Sequence, residues 1–282
     1  MIENLLKDAF LNDAIRDNLE YIFLVNVNQT TLNASNELSA LPSTWNPDLW
    51  NYIVSLNNQI FLPIAGAILA FGLTIELCNL INNKNSLHNI EPTEFLLLFL
   101  KLGIAFTVVK NVFPILLGVF DIGSNAVTRL ASLTINSGIS PADIDAFMAN
   151  IENVGGGTCL MIVFMTTVIR LALWIFNVAI TVLVTGWMLQ IYLYCAAAAI
   201  PAAAIISREF DMSKNYFKNI CALALQGFLM MFCFGAYSSI VKNIDISGDM
   251  DGALTQVVVY AVLLIFMLFK TSGIAKSIMN SH

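Results

Sequence analysis

The sequence predicts an all-α fold: a polytopic bundle of about five transmembrane helices, with six as the alternative. Two observations carry this. Of 282 residues, 58% are hydrophobic and only 11% are charged, whereas soluble domains carry about a quarter charged residues. The apolar residues also gather in runs of the roughly 20 residues that a helix needs to cross about 30 Å of hydrocarbon. Mean hydropathy is +0.77, which suits a surface facing lipid, a medium that does not solvate charge.

The elements follow in order. Leu5, Leu6, Phe10, Leu11, Ile15, Leu19 and Ile22 recur at near-helical spacing among acidic residues. This predicts an amphipathic helix lying on the membrane or a partner, or else one folded back on its own bundle. From Asn26 to Asn46 the chain is rich in Asn, Ser and Thr, the composition of a polar linker. Residues 1–59 are therefore expected as an extracytoplasmic N-terminal helix and linker, with residues 60–282 as the transmembrane domain.

Trp45, Trp50 and Tyr52, aromatics suited to the interface, introduce the first span, Ile60–Ile81. The second is Phe95–Phe120, and the last two are Phe217–Val241 and Ala253–Phe269. Between them lies one long apolar stretch, Thr158–Ile206. It would reach about 70 Å as a continuous helix. Either it turns near Gly186–Trp187, giving six spans, or it crosses once and continues as an extension around Pro201, giving five.

Lysine and arginine counts favour five. The segment before the first span holds Lys7 and Arg16 against seven carboxylates, and the loop 121–157 holds Arg129 alone. The connection 243–252 has Asp245, Asp249 and Asp251 and no basic residue. Arg208, Lys214 and Lys218 crowd the segment after Ile206, and Lys270 and Lys276 lie near the end. Five spans place the acidic segments outside and the basic ones inside, with the N-terminus out and the C-terminus in.

Catalytic and cofactor signatures are missing. The two histidines, His88 and His282, form no H-E-x-x-H pair. No G-x-S-x-G elbow and no P-loop occurs. The five cysteines form no C-x-x-C pair and fall in or beside apolar runs, as small buried hydrophobes do. The sequence points to no enzyme, no cofactor and no metal. A net charge of −6 argues against a protein whose main task is gripping nucleic acid.

Charge inside the apolar runs is costly and usually functional. Four residues qualify: Glu76, Lys101, Lys110 and Arg170. Lys101 can snorkel, and the nine-residue offset places Lys110 on the opposite helix face. Arg170 falls about 18 Å below Thr158. It is expected to pair with Glu76 or to line a wet subunit interface. Around Pro201, Ala198 and Ala202 offer a flat surface for close helix packing, within the chain or between copies.

Several landmarks occur in order: Leu41-Pro42-Ser43-Thr44-Trp45-Asn46, Leu62-Pro63-Ile64-Ala65-Gly66, Gly118-Val119-Phe120-Asp121, Ile206-Ser207-Arg208-Glu209-Phe210, Gln226-Gly227-Phe228, and the ending Leu268 to Ser277. In this order, from Leu41 to the C-terminus, the chain resembles the TrbL-type polytopic membrane component of type IV secretion systems, in the branch found on Gram-positive conjugative elements. The resemblance implies a non-enzymatic channel or assembly-platform subunit of a DNA-transfer machine in the cell membrane. It implies a homo-oligomer working with other secretion-channel subunits and a membrane-associated ATPase, and a single-stranded DNA–protein substrate in transit. A small-solute transporter is the alternative, with the Pro201 region as its candidate midplane break.

Overall fold

In a computed structural model the described residues are 10–83, 92–134, 144–145, 148–149, 156–206, 211–244 and 250–280. They form helices and no strand. Five of the helices are long and apolar enough to cross a membrane, which makes this a multi-pass membrane protein. Arg208 of the basic segment, His88, His282, and Asp143 and Glu152 of the acidic loop lie outside the described residues.

The chain begins with α1 (Asn12–Leu19), a π-helical stretch Glu20–Gln29, and α2 (Thr30–Ser39). The segment expected as a polar linker is thus helical as far as Ser39. A short α3 (Pro42–Trp45) leads to α4 (Pro47–Leu56), both with proline in the first turn, where a missing N–H costs nothing. The Asn46 side chain caps α4 by accepting the Leu49 N–H at 3.0 Å.

A π-helical stretch Asn57–Phe61 joins α4 to α5 (Leu62–Asn83). Pro63 is the second residue of α5. A proline ring clashes with the carbonyl four residues back, and a widened turn is one way to relieve that clash. The first span therefore runs Pro47–Asn82, starting well before Ile60.

The second span is α6 (Pro92–Lys110), separated by Asn111 alone from α7 (Val112–Thr134). Pro114 has no N–H to donate to the Lys110 carbonyl, so the ladder breaks there. It resumes with the Ile115 N–H donating to the Asn111 carbonyl at 3.1 Å. Residues 121–134, expected as the start of a loop, belong to α7.

The central stretch is one helix, α8 (Gly156–Ala196), of 41 residues. It does not turn at Gly186. A lone glycine costs only about 1 kcal/mol in a helix interior, and the Trp187 indole N–H is held by the Leu223 carbonyl at 3.0 Å. The break falls at Ala197–Ala198, four residues before Pro201. Pro201 cannot serve the Ala197 carbonyl, which accepts from the Ile200 N–H instead at 3.3 Å. The short α9 (Ala199–Ala203) follows, then α10 (Asp211–Lys242) and α11 (Met250–Ile278).

The chain forms two compact units. One comprises Met1–Ser39, Asn125–Gly186 and Gly227–Ser272; the other comprises Ala40–Ser124, Trp187–Gln226 and Gly273–His282. In the first, Ile15, Leu19, Ile22, Phe23 and Val27 are buried, so the N-terminal helix packs on its own chain rather than lying free. In the second, α9 packs against α5 and α6. Ala198, Pro201 and Ala202 are buried there, and their lack of side-chain bulk permits the close approach.

Candidate functional site

α8 carries an apolar face and a polar one. Phe164, Leu171 and Val182 are more than half exposed, as a lipid-facing surface would be. Thr166, Thr167, Arg170, Asn177 and Thr181 recur at intervals near three, four and seven, which places them on one helix face. The N-terminal helix lies along that face.

The contacts form a ladder. Arg16 reaches Asp145 at 2.6 Å and Glu20 at 3.3 Å. The Asn18 amide donates to the Thr166 and Thr167 hydroxyls, both at 3.1 Å. Its carbonyl oxygen accepts from Arg170 Nη1 at 3.1 Å. The guanidinium also stacks on the Tyr21 ring, 4.6 Å from its centroid, a cation–π contact. Farther along, Asn26 donates to the Leu173 carbonyl at 3.5 Å and accepts from the Tyr237 hydroxyl at 3.2 Å. Thr30 donates to Asn177 Oδ1 at 2.9 Å. Partner numbers rise together, so the N-terminal helix and α8 run parallel.

A polar group away from water costs several kcal/mol unless it is paired. Each helix supplies what the other would otherwise lack. The buried Asn18, with its donors and its acceptor engaged, locks the register.

Arg170 thus finds neutral partners, Asn18 and Tyr21, in place of the expected carboxylate. It remains exposed on α8, with guanidinium donors to spare. Glu76, in the other unit, is buried in α5, while Lys101 and Lys110 are exposed on α6. Sequence reading missed Asn18, Tyr21 and Asn177. The available signal was Asn26, Thr30, Asn33 and Glu37 recurring at helical intervals through a segment that composition alone assigns to linker, in step with Asn18 of the preceding helix.

A second constellation belongs to the other unit. Trp50 meets Phe113 edge-on, with ring centroids 5.3 Å apart, and lies 6.3 Å from Tyr192; Trp45 lies 5.9 Å from Tyr192. The Tyr192 hydroxyl donates to the Pro42 carbonyl at 2.6 Å. The motif Pro42 to Trp45 is therefore a clasp that ties the start of the first span to the end of α8. Two of the three aromatics expected at the membrane interface are engaged in it; Tyr52 is exposed.

The aromatic clasp and the α8 side of the polar ladder lie between Val27 and Ala199, while the ladder's Arg16, Asn18, Tyr21, Asn26 and Tyr237 lie outside that interval. No curated protein and no solved structure matches the chain. The family described as TrbL/VirB6 plasmid conjugal transfer like protein matches residues 27–199. That match begins inside the N-terminal helix and ends at α9, so it takes in the polar ladder's α8 face and the whole aromatic clasp. With more than half of its length matched, the chain belongs to the TrbL/VirB6 plasmid conjugal transfer-like family, as a component of the cell membrane.

Proposed function

We propose that the chain is a non-enzymatic channel or assembly-platform subunit of a type IV secretion machine that transfers DNA by conjugation. The family match over residues 27–199, on a chain whose described residues include five helices long and apolar enough to cross a membrane, carries this reading. The subunit works as a homo-oligomer beside other channel proteins and a membrane-associated ATPase. Its N-terminus, with the segment ahead of the first span at Pro47, lies outside and its C-terminus inside. A platform fits the chemistry better than a bare DNA conduit, since a pore for a polyanion calls for a basic lining. Among the described residues, Lys101, Lys110 and Arg170 are the cations proposed at depth, and a ring of copies would multiply even one of them into a collar.

Orientation is tested at Asp211, which is exposed at the start of α10. In a background lacking the native cysteines, Asp211→Cys should be modified by a membrane-impermeant maleimide only after the cells are opened. Labelling of intact cells would reverse the topology.

Arg170 is the residue we propose to face another subunit. A guanidinium exposed along an apolar helix is costly in lipid, and a wet interface relieves that cost. In donor cells lacking the native gene, Arg170→Leu should lower transfer by tenfold or more and shift the detergent-purified protein to smaller species. Arg170→Lys should retain part of both properties. Unchanged transfer and size for Arg170→Leu would remove Arg170 from the interface.

A further inference from the structure

Beyond Thr30 the polar ladder opens into a cavity of about 180 Å³ between the N-terminal helix and α8, within one unit. Its polar lining is Gln29, Thr30, Asn33, Glu37, Asn177 and Thr181; the remaining walls are aliphatic. Glu37 is half-buried and is the sole titratable group among the lining residues. Among the described residues no cation is paired with it. Every other polar side chain around it is neutral and carries an oxygen. The Thr181 hydroxyl donates to the Asn177 carbonyl at 3.0 Å, so its oxygen keeps a lone pair for a ligand.

One carboxylate among neutral oxygens, beside a membrane-spanning helix, poses a charge problem. An ionised carboxylate partly withdrawn from water without a partner carries a penalty. Protonation removes the charge; a bound cation compensates it. Oxygen donors of this kind select hard cations. A divalent ion, which is ordinarily held by more than one carboxylate, would leave an uncompensated positive charge here. A monovalent ion leaves the site neutral. The cavity has room for several waters, and so for an ion that keeps part of its hydration shell.

We infer that this cavity is a binding site for one small monovalent cation, held by the Glu37 carboxylate with amide and hydroxyl oxygens from Gln29, Asn33, Asn177 and Thr181.

The test uses the full chain purified in mild detergent. Melting is followed in sodium, potassium, ammonium or choline chloride at equal ionic strength. Choline is too bulky for the site and serves as the reference. At least one of the three small cations should raise Tm by roughly 2 °C or more over choline, and which one does identifies the ion. Glu37→Gln should abolish the difference and should melt higher than the native chain in choline, because the uncompensated charge is gone. Thr181→Val should weaken the response without abolishing it, which keeps the test available if Glu37→Gln fails to fold.

Acid supplies an independent arm. Burial pushes the Glu37 carboxyl above its ordinary range. The folded chain therefore holds this proton more tightly than the unfolded chain, and the charge penalty appears as pH rises through the folded value. The cation response should vanish once pH falls below the ordinary glutamate range. Equal cation responses in the native chain and Glu37→Gln, or no response to any of the three salts, would overturn the assignment.

Discussion

Trp50→Ala should cost about 3–5 kcal/mol, the usual range for deleting a large buried aromatic. Trp50 is only 8% exposed and touches both Phe113 and Tyr192, so its loss empties the centre of the clasp. Melting in detergent at one fixed scan rate should fall on the order of 10 °C. Two comparisons isolate the cause. Tyr52→Ala, two residues away but 63% exposed, should move Tm very little. Tyr192→Phe keeps the ring and removes the hydroxyl that donates to the Pro42 carbonyl at 2.6 Å, and should cost about 1 kcal/mol. If Trp50→Ala and Tyr52→Ala behaved alike, Trp50 would be an interface anchor in lipid, and the clasp would not contribute to stability.

Gly72→Leu should be the second strongly destabilising change. A Cβ at residue 72 would lie 2.6 Å from Ile206 Cγ2, and Ile206 is itself buried, just after α9. That methyl is fixed to a branched β-carbon and cannot swing away as the end of a long side chain could. Overpacking of this kind costs about 1–3 kcal/mol, and leucine sits at the upper end because the rest of its side chain must be housed as well. Gly72→Ala should fall at the lower end, since alanine recovers about 1 kcal/mol of helix propensity. The decisive measurement is the double variant. Ile206→Ala makes room, so Gly72→Ala combined with Ile206→Ala should be more stable than the sum of the two single effects, a coupling of about 1 kcal/mol or more. Strict additivity would mean that α5 and the segment after α9 do not press on each other at Gly72. By contrast, nothing lies within 4 Å of a Cβ at Gly66, Gly103 or Gly118, so alanine at those positions should be tolerated.

These two sites and the polar ladder divide what the sequence can reveal from what it cannot. Hydrophobicity integrates over a window. Five runs of apolar residues therefore announce five helices long enough to cross a membrane without any knowledge of neighbours, and the ordered landmarks from Leu41 to Asp121, which lie within the matched residues, announce the family. Prolines are equally local: Pro63, Pro114 and Pro201 each deny one carbonyl its donor, and the helices change character just before each of them.

Partnership is not local. Asn26, Thr30 and Asn33 have the composition of a linker, yet two of them are helical rungs, because Tyr237, Leu173 and Asn177 supply hydrogen bonds from about 147 or more residues away in sequence. Arg170 demands an acceptor by its charge alone, but only the fold selects neutral Asn18 and the Tyr21 ring over a carboxylate. Gly186 looks like a turn and is not one, since α8 loses little by keeping it helical and Trp187 is held in place by Leu223. Composition sets which segments enter lipid, because transfer free energy is a sum over residues. Tertiary structure sets which polar group answers which, because a hydrogen bond in a water-poor environment is worth making only where its partner already stands.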